Sequence, residues 1–148
     1  MMVVRLEQDL SLEETEILIK YPAMSKDVER IAAMLESVNT RIKCSLEGSE
    51  KFVSVSDIYY FESVDKTTFV YCKQEVYKTE YRLYQIVKDF AHLGFVQISK
   101  SCILNINVLA SVTPIRNSRM EATLQNAERL LVTRKYLENI KQALQMKV

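Results

Sequence analysis

From residue 40 the texture of the chain changes to short extended segments bounded by turn residues, which makes that region a scaffold of short strands. Residues 41–46 (RIKCSL) alternate, Glu47-Gly48-Ser49 reads as a turn, and 51–54 (KFVS) is a second strand. An aromatic-rich strand spans 57–64 (DIYYFESV). Two more follow at 68–73 and 75–78, joined tightly at Gln74. Further extended pieces fall at 95–98, 102–105, 108–114, 119–124 and 129–132, and nothing repeats at a fixed period. The expected core is therefore mainly β with flanking helices, an α+β fold of mostly antiparallel strands.

Two helices interrupt this pattern. Thr79 is placed to cap one over 80–91, with Leu83, Ile86, Val87 and Phe90 on one face. Gly94 ends it, since only glycine takes the left-handed conformation cheaply. Thr133 is placed to cap a last helix over 134–145 that buries Leu137, Ile140 and Leu144. Ahead of residue 40, segments 3–9 (VVRLEQD) and 15–21 (TEILIKY) alternate like the arms of a hairpin. Pro22 ends the second arm. Ser25 then caps a helix over 26–38, whose stripe is Val28, Ile31, Ala32, Leu35 and Val38. Residues 1–39 thus read as a β-β-α extension and residues 40–148 as the main domain. A piece that short buries too little surface to fold alone. It is expected to pack on the rest or on a second copy, giving a homodimer.

Composition removes most catalytic classes. The chain has one histidine, so a Ser-His-Asp or Cys-His site can exist only around His92. That residue falls at the end of the expected 80–91 helix, where the dipole favours a cation and a structural role suffices. Two glycines cannot build a phosphate-cradling loop. Cys44, Cys72 and Cys102 lie far apart, without a C-x-x-C pair, and read as small buried residues rather than metal ligands. The chain is expected to be no enzyme, with no catalytic residues, cofactor, metal or small-molecule substrate. No stretch approaches the roughly 18 apolar residues of a membrane helix, and no secretory pattern opens the chain, so a cytoplasmic location is expected.

The net charge of +1 hides an asymmetry. Residues 1–39 hold four basic and eight acidic side chains, and residues 40–94 hold eight of each. Residues 95–148 hold eight basic against three acidic, so the excess of +5 belongs to the C-terminal third. A basic stretch attached to an acidic one points to a polyanionic partner. No helix-turn-helix, zinc finger or heptad pattern is present, so nucleic acid would be met by loops and strand ends.

Three segments in order, FESVDKTTFVY (61–71), FVQISKSCILN (95–105) and LLVTRKYLENIKQAL (130–144), resemble the LytTR family of bacterial DNA-binding domains. The resemblance covers about residues 40–146. Its most specific part is the middle segment, with Phe95, then Ser99-Lys100-Ser101, the apolar triplet Cys102-Ile103-Leu104, and Asn105. It implies an elongated fold of about ten strands in three small sheets. It also implies loops that enter successive major grooves of double-stranded DNA and bend it. The contact positions it implies are Lys66, Thr67 and Thr68, then Ser99, Lys100 and Ser101, then Arg134 and Lys135.

The chemistry of those positions suits the role. Arg134 carries a planar fork that can grip guanine O6 and N7, or a phosphate. Thr133 opens a helix N-terminus, where free N–H groups favour a phosphate. Lys100 between two hydroxyls, and Lys66 before two more, each offer a cation with small donors. The chain departs from the family at Ser99, where a histidine is usual. A serine has shorter reach and cannot gain charge. It also lacks the length for an upstream receiver domain, so no phosphorylation switch of that kind is expected. Stand-alone members of the family are often restrained by a small membrane protein, which the resemblance implies as a partner. The rival expectation is a protein-interaction module built on Tyr59, Tyr60, Phe61, Tyr71, Tyr77, Tyr81 and Tyr84.

Overall fold

In the computed structural model, which describes residues 1–144, the first element is helix α1 (Lys26–Asn39). Strands β1 (Arg41–Leu46), β2 (Ser49–Ser54), β3 (Ile58–Val64), β4 (Thr67–Cys72) and β5 (Val76–Thr79) come next. Helix α2 (Leu83–Phe90) leads to β6 (Phe95–Ser99), β7 (Cys102–Asn105), β8 (Leu109–Ile115), β9 (Arg119–Leu124) and β10 (Arg129–Val132). Helix α3 (Leu137–Leu144) follows a 3-10 turn over Arg134–Tyr136. Every strand pair is antiparallel.

The strands form two sheets among the described residues, not the three small ones that the resemblance implies. One has seven strands in the order β2-β1-β5-β4-β3-β7-β6, and the other has the order β10-β9-β8. The larger sheet is continuous because β3 pairs with β7 as well as β4, with Glu62 opposite Cys102. The buried Asn105 adds to that seam by donating from Nδ2 to the Ile58 carbonyl at 2.8 Å.

Apolar side chains leave the larger sheet on both faces. On one, Ile42, Val55, Ile58, Phe61, Val70 and Ile103 pack with Ile86, Phe90 and Leu93 from α2 and the turn after it. On the other, Tyr60, Ile98, Cys102 and Leu104 pack with Met120, Ala122, Leu124 and Val132 of the small sheet and Ile140 of α3. This explains why 57–64 does not alternate: Ile58, Tyr59, Tyr60 and Phe61 are all buried, because β3 is covered on both sides. Tyr60 also joins the layers by a hydrogen bond. Its Oη donates to Glu128 Oε2 at 2.7 Å.

Two-residue loops with left-handed backbone close the tightest hairpins. Leu46 pairs with Ser49 around Glu47 and Gly48 (φ 51 and 82), and Val64 pairs with Thr67 around Asp65 and Lys66 (φ 49 and 65). Positive φ at both positions matches the twist of the flanking strands.

The N-terminal expectation needs correction. Residues 1–25 hold no strand, and the β-β part of the β-β-α extension does not form. An Asx turn does sit between the two arms, with Ser11 N donating to Asp9 Oδ1 at 2.9 Å, but the arms make no ladder. Val3, Val4, Leu6, Ile17 and Leu18 are all exposed. A lone hairpin is marginal without a third element to cover it, and among the described residues no sheet or helix covers these arms.

Helix α1 forms as expected, with Ser25 Oγ accepting from Val28 N at 3.3 Å. Its inward face follows the expected stripe in part: Val28, Ile31 and Leu35 are half-buried, Ala33 packs on the core and Ser37 is buried, while Ala32 and Val38 are exposed. Two caps also differ. Thr79 ends β5 and spends its hydroxyl on the Lys43 carbonyl at 3.1 Å, so α2 starts later, where Arg82 N donates to Gln85 Oε1 at 2.8 Å. Thr133 does precede the last helical segment, but its hydroxyl makes no cap bond. Gly94 ends its helical segment in the left-handed region at φ 99.

Candidate nucleic-acid interface

Sheet register decides which turns share an end of the molecule. The turn between β3 and β4 carries Asp65 and Lys66, and the turn between β6 and β7 carries Lys100 and Ser101. Because β3 lies beside β7, both turns project from the same end, and Ser63 N donates to the Ser101 carbonyl at 2.8 Å between them. They are two strand spacings apart, about 10 Å, which compares with the roughly 12 Å width of a DNA major groove.

The last helix joins the same end. Thr133 N donates to the Ile98 carbonyl at 3.0 Å, and Asn139 Nδ2 donates to the Gln97 carbonyl at 3.3 Å. These bonds dock the segment that begins with Arg134 against β6 just before Ser99. Arg134 in turn reaches the β8–β9 turn, with Nε and Nη2 each 3.4 Å from the Asn117 carbonyl. At the opposite side of the row, Arg82 Nη1 donates to the Lys66 carbonyl at 2.7 Å.

The structure therefore brings Lys66, Thr67, Ser99, Lys100, Ser101, Arg134 and Lys135 to one end of the β scaffold. Lys66, Lys100, Arg134 and Lys135 are exposed, and Thr67, Ser99 and Ser101 are half-buried. Thr68 departs from the expectation. It sits one residue inside β4, 3% exposed, opposite Ser63 and Thr79, so its hydroxyl belongs to the sheet. Ser99 Oγ accepts from Ser101 N at 3.3 Å and shapes the turn that presents Lys100.

Sequence reasoning passed over Arg82, Arg116, Asn117 and Arg119. Arg82 fell inside the expected 80–91 helix, and its true place just ahead of α2 is what lets it reach Lys66. Arg116 and Asn117 fill the gap between two expected strands and Arg119 opens the second of them, so the turn is legible in the sequence and its two arginines are the available signal.

None of Lys66, Arg82, Lys100, Arg116, Arg119, Arg134 or Lys135 takes part in an ion pair among the described residues. Asp65, beside Lys66, and Glu138, in the first turn of α3 after Arg134 and Lys135, are acidic side chains next to this row in the chain. Unneutralised cations along one edge create the positive potential that attracts a polyanion.

Residues with reactive chemistry lie elsewhere. His92 Nε2 is 3.2 Å from Glu36 Oε1, tying α1 to the turn after α2. All three cysteines are free and buried. Burial pushes the Cys44 thiol up to about 11 and the Cys102 thiol up to about 12. Cys72 is also pushed up to about 12, by burial first and then by Asp57. No group of three or more metal-ligating side chains occurs among the described residues, and no helix there is long and apolar enough to cross a membrane. The aromatic set is mostly interior. Tyr59, Tyr60 and Phe61 are buried, Tyr71, Tyr77 and Tyr81 half-buried, and only Tyr84 of the seven is exposed.

Among the described residues, a β scaffold carries a row of cationic turns at one end, an arrangement electrostatically suited to a polyanion. Residues 48–145 match the family described as "LytTr DNA-binding domain", and the chain belongs to that family, which is one of DNA-binding domains and not of enzymes. The solved LytTr DNA-binding domain of a Bacillus cereus protein superposes with a TM-score of 0.67, covering 71% of this chain and 96% of that one. At 22% identity, that likeness concerns the fold. The sensory transduction protein LytT of Bacillus cereus is 26% identical over 106 residues, which is 72% of this chain and 43% of LytT. The chain thus spans under half the length of that relative. An uncharacterized HTH-type transcriptional regulator of Staphylococcus aureus is 26% identical over 149 residues, covering 96% of this chain and 99% of the relative. Among the described residues no α-helix follows another directly, since strands or a 3-10 turn precede each later one.

Proposed function

We propose that the chain is a cytoplasmic transcription regulator that binds double-stranded DNA sequence-specifically, setting its turns into the major groove. The observation that carries this reading is the convergence of the Lys66, Lys100 and Arg134 turns on one end, tied together by the Ser63–Ser101 and Thr133–Ile98 bonds. Lys66, Thr67, Ser99, Lys100, Ser101, Arg134 and Lys135 are the contacts, and Thr68 supports them from within the sheet. Ser99 in the usual histidine position shapes its own turn, leaving Lys100 as the long donor there.

A gel-shift titration against the DNA upstream of the protein's own operon, at rising salt, tests the reading. Shifts that weaken steeply with salt and resist unrelated competitor DNA are expected. Absence of any shift at low salt refutes it.

The working unit is a homodimer, with residues 1–39 as a dimerisation element and residues 40–148 as the DNA-binding domain. Leu6, Leu10, Leu12, Ile17, Leu18 and Met24 are all exposed on the N-terminal arm, and apolar side chains left uncovered together suit an interaction surface. Full-length chain with Leu6→Asp and Ile17→Asp should sediment as a monomer where the parent sediments as a dimer; a monomeric parent refutes this arrangement. A restraining membrane-protein partner fits the family resemblance, and the same arm is the surface available to it.

A further inference from the structure

Beside the last helix the surface dips into a shallow hollow lined by Asn117, Arg119, Arg134 and Lys135. Three of these four side chains are cations and none is an acid. The hollow is made by the β8–β9 turn, where Asn117 and Ser118 are left-handed (φ 63 and 54) and Asn117 turns its carbonyl toward Arg134. Arg119 Nε donates to the Arg116 carbonyl at 3.1 Å, which lays its guanidinium along the turn and leaves both terminal nitrogens unspent. Lys135 Nζ rests 5.9 Å from the centre of the Tyr136 ring. The nearest acid on the same face of β9, Glu121, has its own cation in Arg129 at 3.8 Å.

We propose that this hollow seats a backbone phosphate of the bound duplex, held by Arg119 and Lys135 with Arg134 as the wall shared with the neighbouring row of turns. The proposal rests on the DNA-binding reading above and adds a contact that carries no sequence information. Two features favour phosphate over a base edge. Arg119 is half-buried and held along the turn by its 3.1 Å bond to the Arg116 carbonyl, whereas Arg134 is exposed and its contacts to the Asn117 carbonyl are longer at 3.4 Å; reading a base edge needs a side chain that projects into the groove. A shallow seat of free guanidinium and ammonium donors also suits a tetrahedral oxyanion, which guanidinium groups grip bidentately. The seat fixes register at one end of the row, while the turns at Lys66 and Lys100 approach the bases.

Salt dependence tests the seat. Equilibrium binding of the full-length chain is measured from about 50 to about 200 mM salt, against the upstream duplex and an unrelated duplex of equal length. Arg119→Gln should make the slope of log affinity against log salt shallower by about one on both duplexes, with their affinity ratio unchanged. Arg119→Lys restores the charge without the Nε bond to Arg116 and should return the slope to that of the parent. Lys135→Gln, on an exposed turn, should reproduce the Arg119→Gln result and decides the matter if that variant loses its fold. An unchanged slope in the glutamine variants, or a change on one duplex only, overturns the seat. A parent chain that binds neither duplex fails the DNA-binding reading itself, a separate outcome.

Discussion

The backbone N–H of Thr133 donates to the carbonyl of Ile98 at 3.0 Å, and this bond holds Arg134 beside the turn that carries Lys100. Ile98 is fully buried, so its carbonyl depends on that donor and on a longer contact, 3.5 Å, from the Thr133 hydroxyl. Thr133 has φ −79, a value proline accepts. Thr133→Pro therefore removes the donor with little backbone strain, and it should cost about 1–3 kcal/mol of stability through the unsatisfied carbonyl. DNA affinity should fall with it. Thr133→Val keeps the N–H and should stay close to the parent. Urea unfolding and a DNA titration on both variants check the pair.

Arg134 and Lys100 should fail in different ways. Arg134→Ala should lose about 1–3 kcal/mol of binding and relax preference at one base, because a bidentate guanidinium contact discriminates between bases. Lys100→Ala should weaken binding to every sequence alike and flatten the salt slope by about one, as loss of a single charge contact does. Binding by both variants like the parent's would remove these residues from the interface.

Lys66 holds a left-handed backbone, φ 65, directly after Asp65 at φ 49. That conformation costs a non-glycine residue roughly 1–2 kcal/mol, and here the Arg82 bond to the Lys66 carbonyl helps to hold it. Lys66→Gly relieves the strain, so the variant should be at least as stable as the parent while binding DNA more weakly. Lys66→Val, β-branched at positive φ, should be clearly less stable. Thermal melts beside gel-shift titrations would expose this separation of stability from binding. A glycine variant that binds like the parent would leave the strain without a purpose.

Alkaline pH should weaken the fold. The thiols of Cys44, Cys72 and Cys102 are pushed above their ordinary value of 9.0, to about 11, 12 and 12, and Tyr60 is raised by burial and by its bond to Glu128. The folded chain thus holds these groups neutral while the unfolded chain releases their protons at lower pH. Their contribution to stability is complete below about pH 9 and is lost as pH climbs from there toward 12. The urea midpoint should be level from pH 7 to 8.5 and fall at pH 10 and above. Thiol reagents at pH 8 should react at the rate of unfolding. A midpoint flat to pH 11 would contradict the burial of these groups.

Strands were legible wherever a partner strand exists to use their pattern. Residues 41–46, 102–105, 119–124 and 129–132 form strands at the expected bounds. Segments 3–9 and 15–21 carry the same alternation and form none, because alternation says which face would be buried and not whether anything is there to bury it. The inward face of α1 is legible in part: helical spacing selects Val28, Ile31 and Leu35, which are half-buried, but the small Ala33 and Ser37 also face the core and Val38 does not. Thr79 looked like a cap because threonine suits both a cap and a strand end, and only the Lys43 carbonyl across the sheet decides between them. Lys66, Lys100 and Arg134 were legible through family resemblance and charge. Their meeting point was not, since it depends on β3 pairing with β7 and on the Thr133–Ile98 bond. Arg119 was passed over because its turn lies outside the segments that carry the resemblance.

Amide hydrogen exchange of the full-length chain, with and without a duplex from its own upstream DNA, reports where the two molecules meet. Slowed exchange should concentrate at 64–67, 99–101, 116–119 and 133–136, four segments distant in sequence and adjacent at one end of the fold, with Phe52 and the β2 edge unchanged. Slowing at the β2 edge, or at only one of the four segments, would contradict a duplex lying across that row of turns.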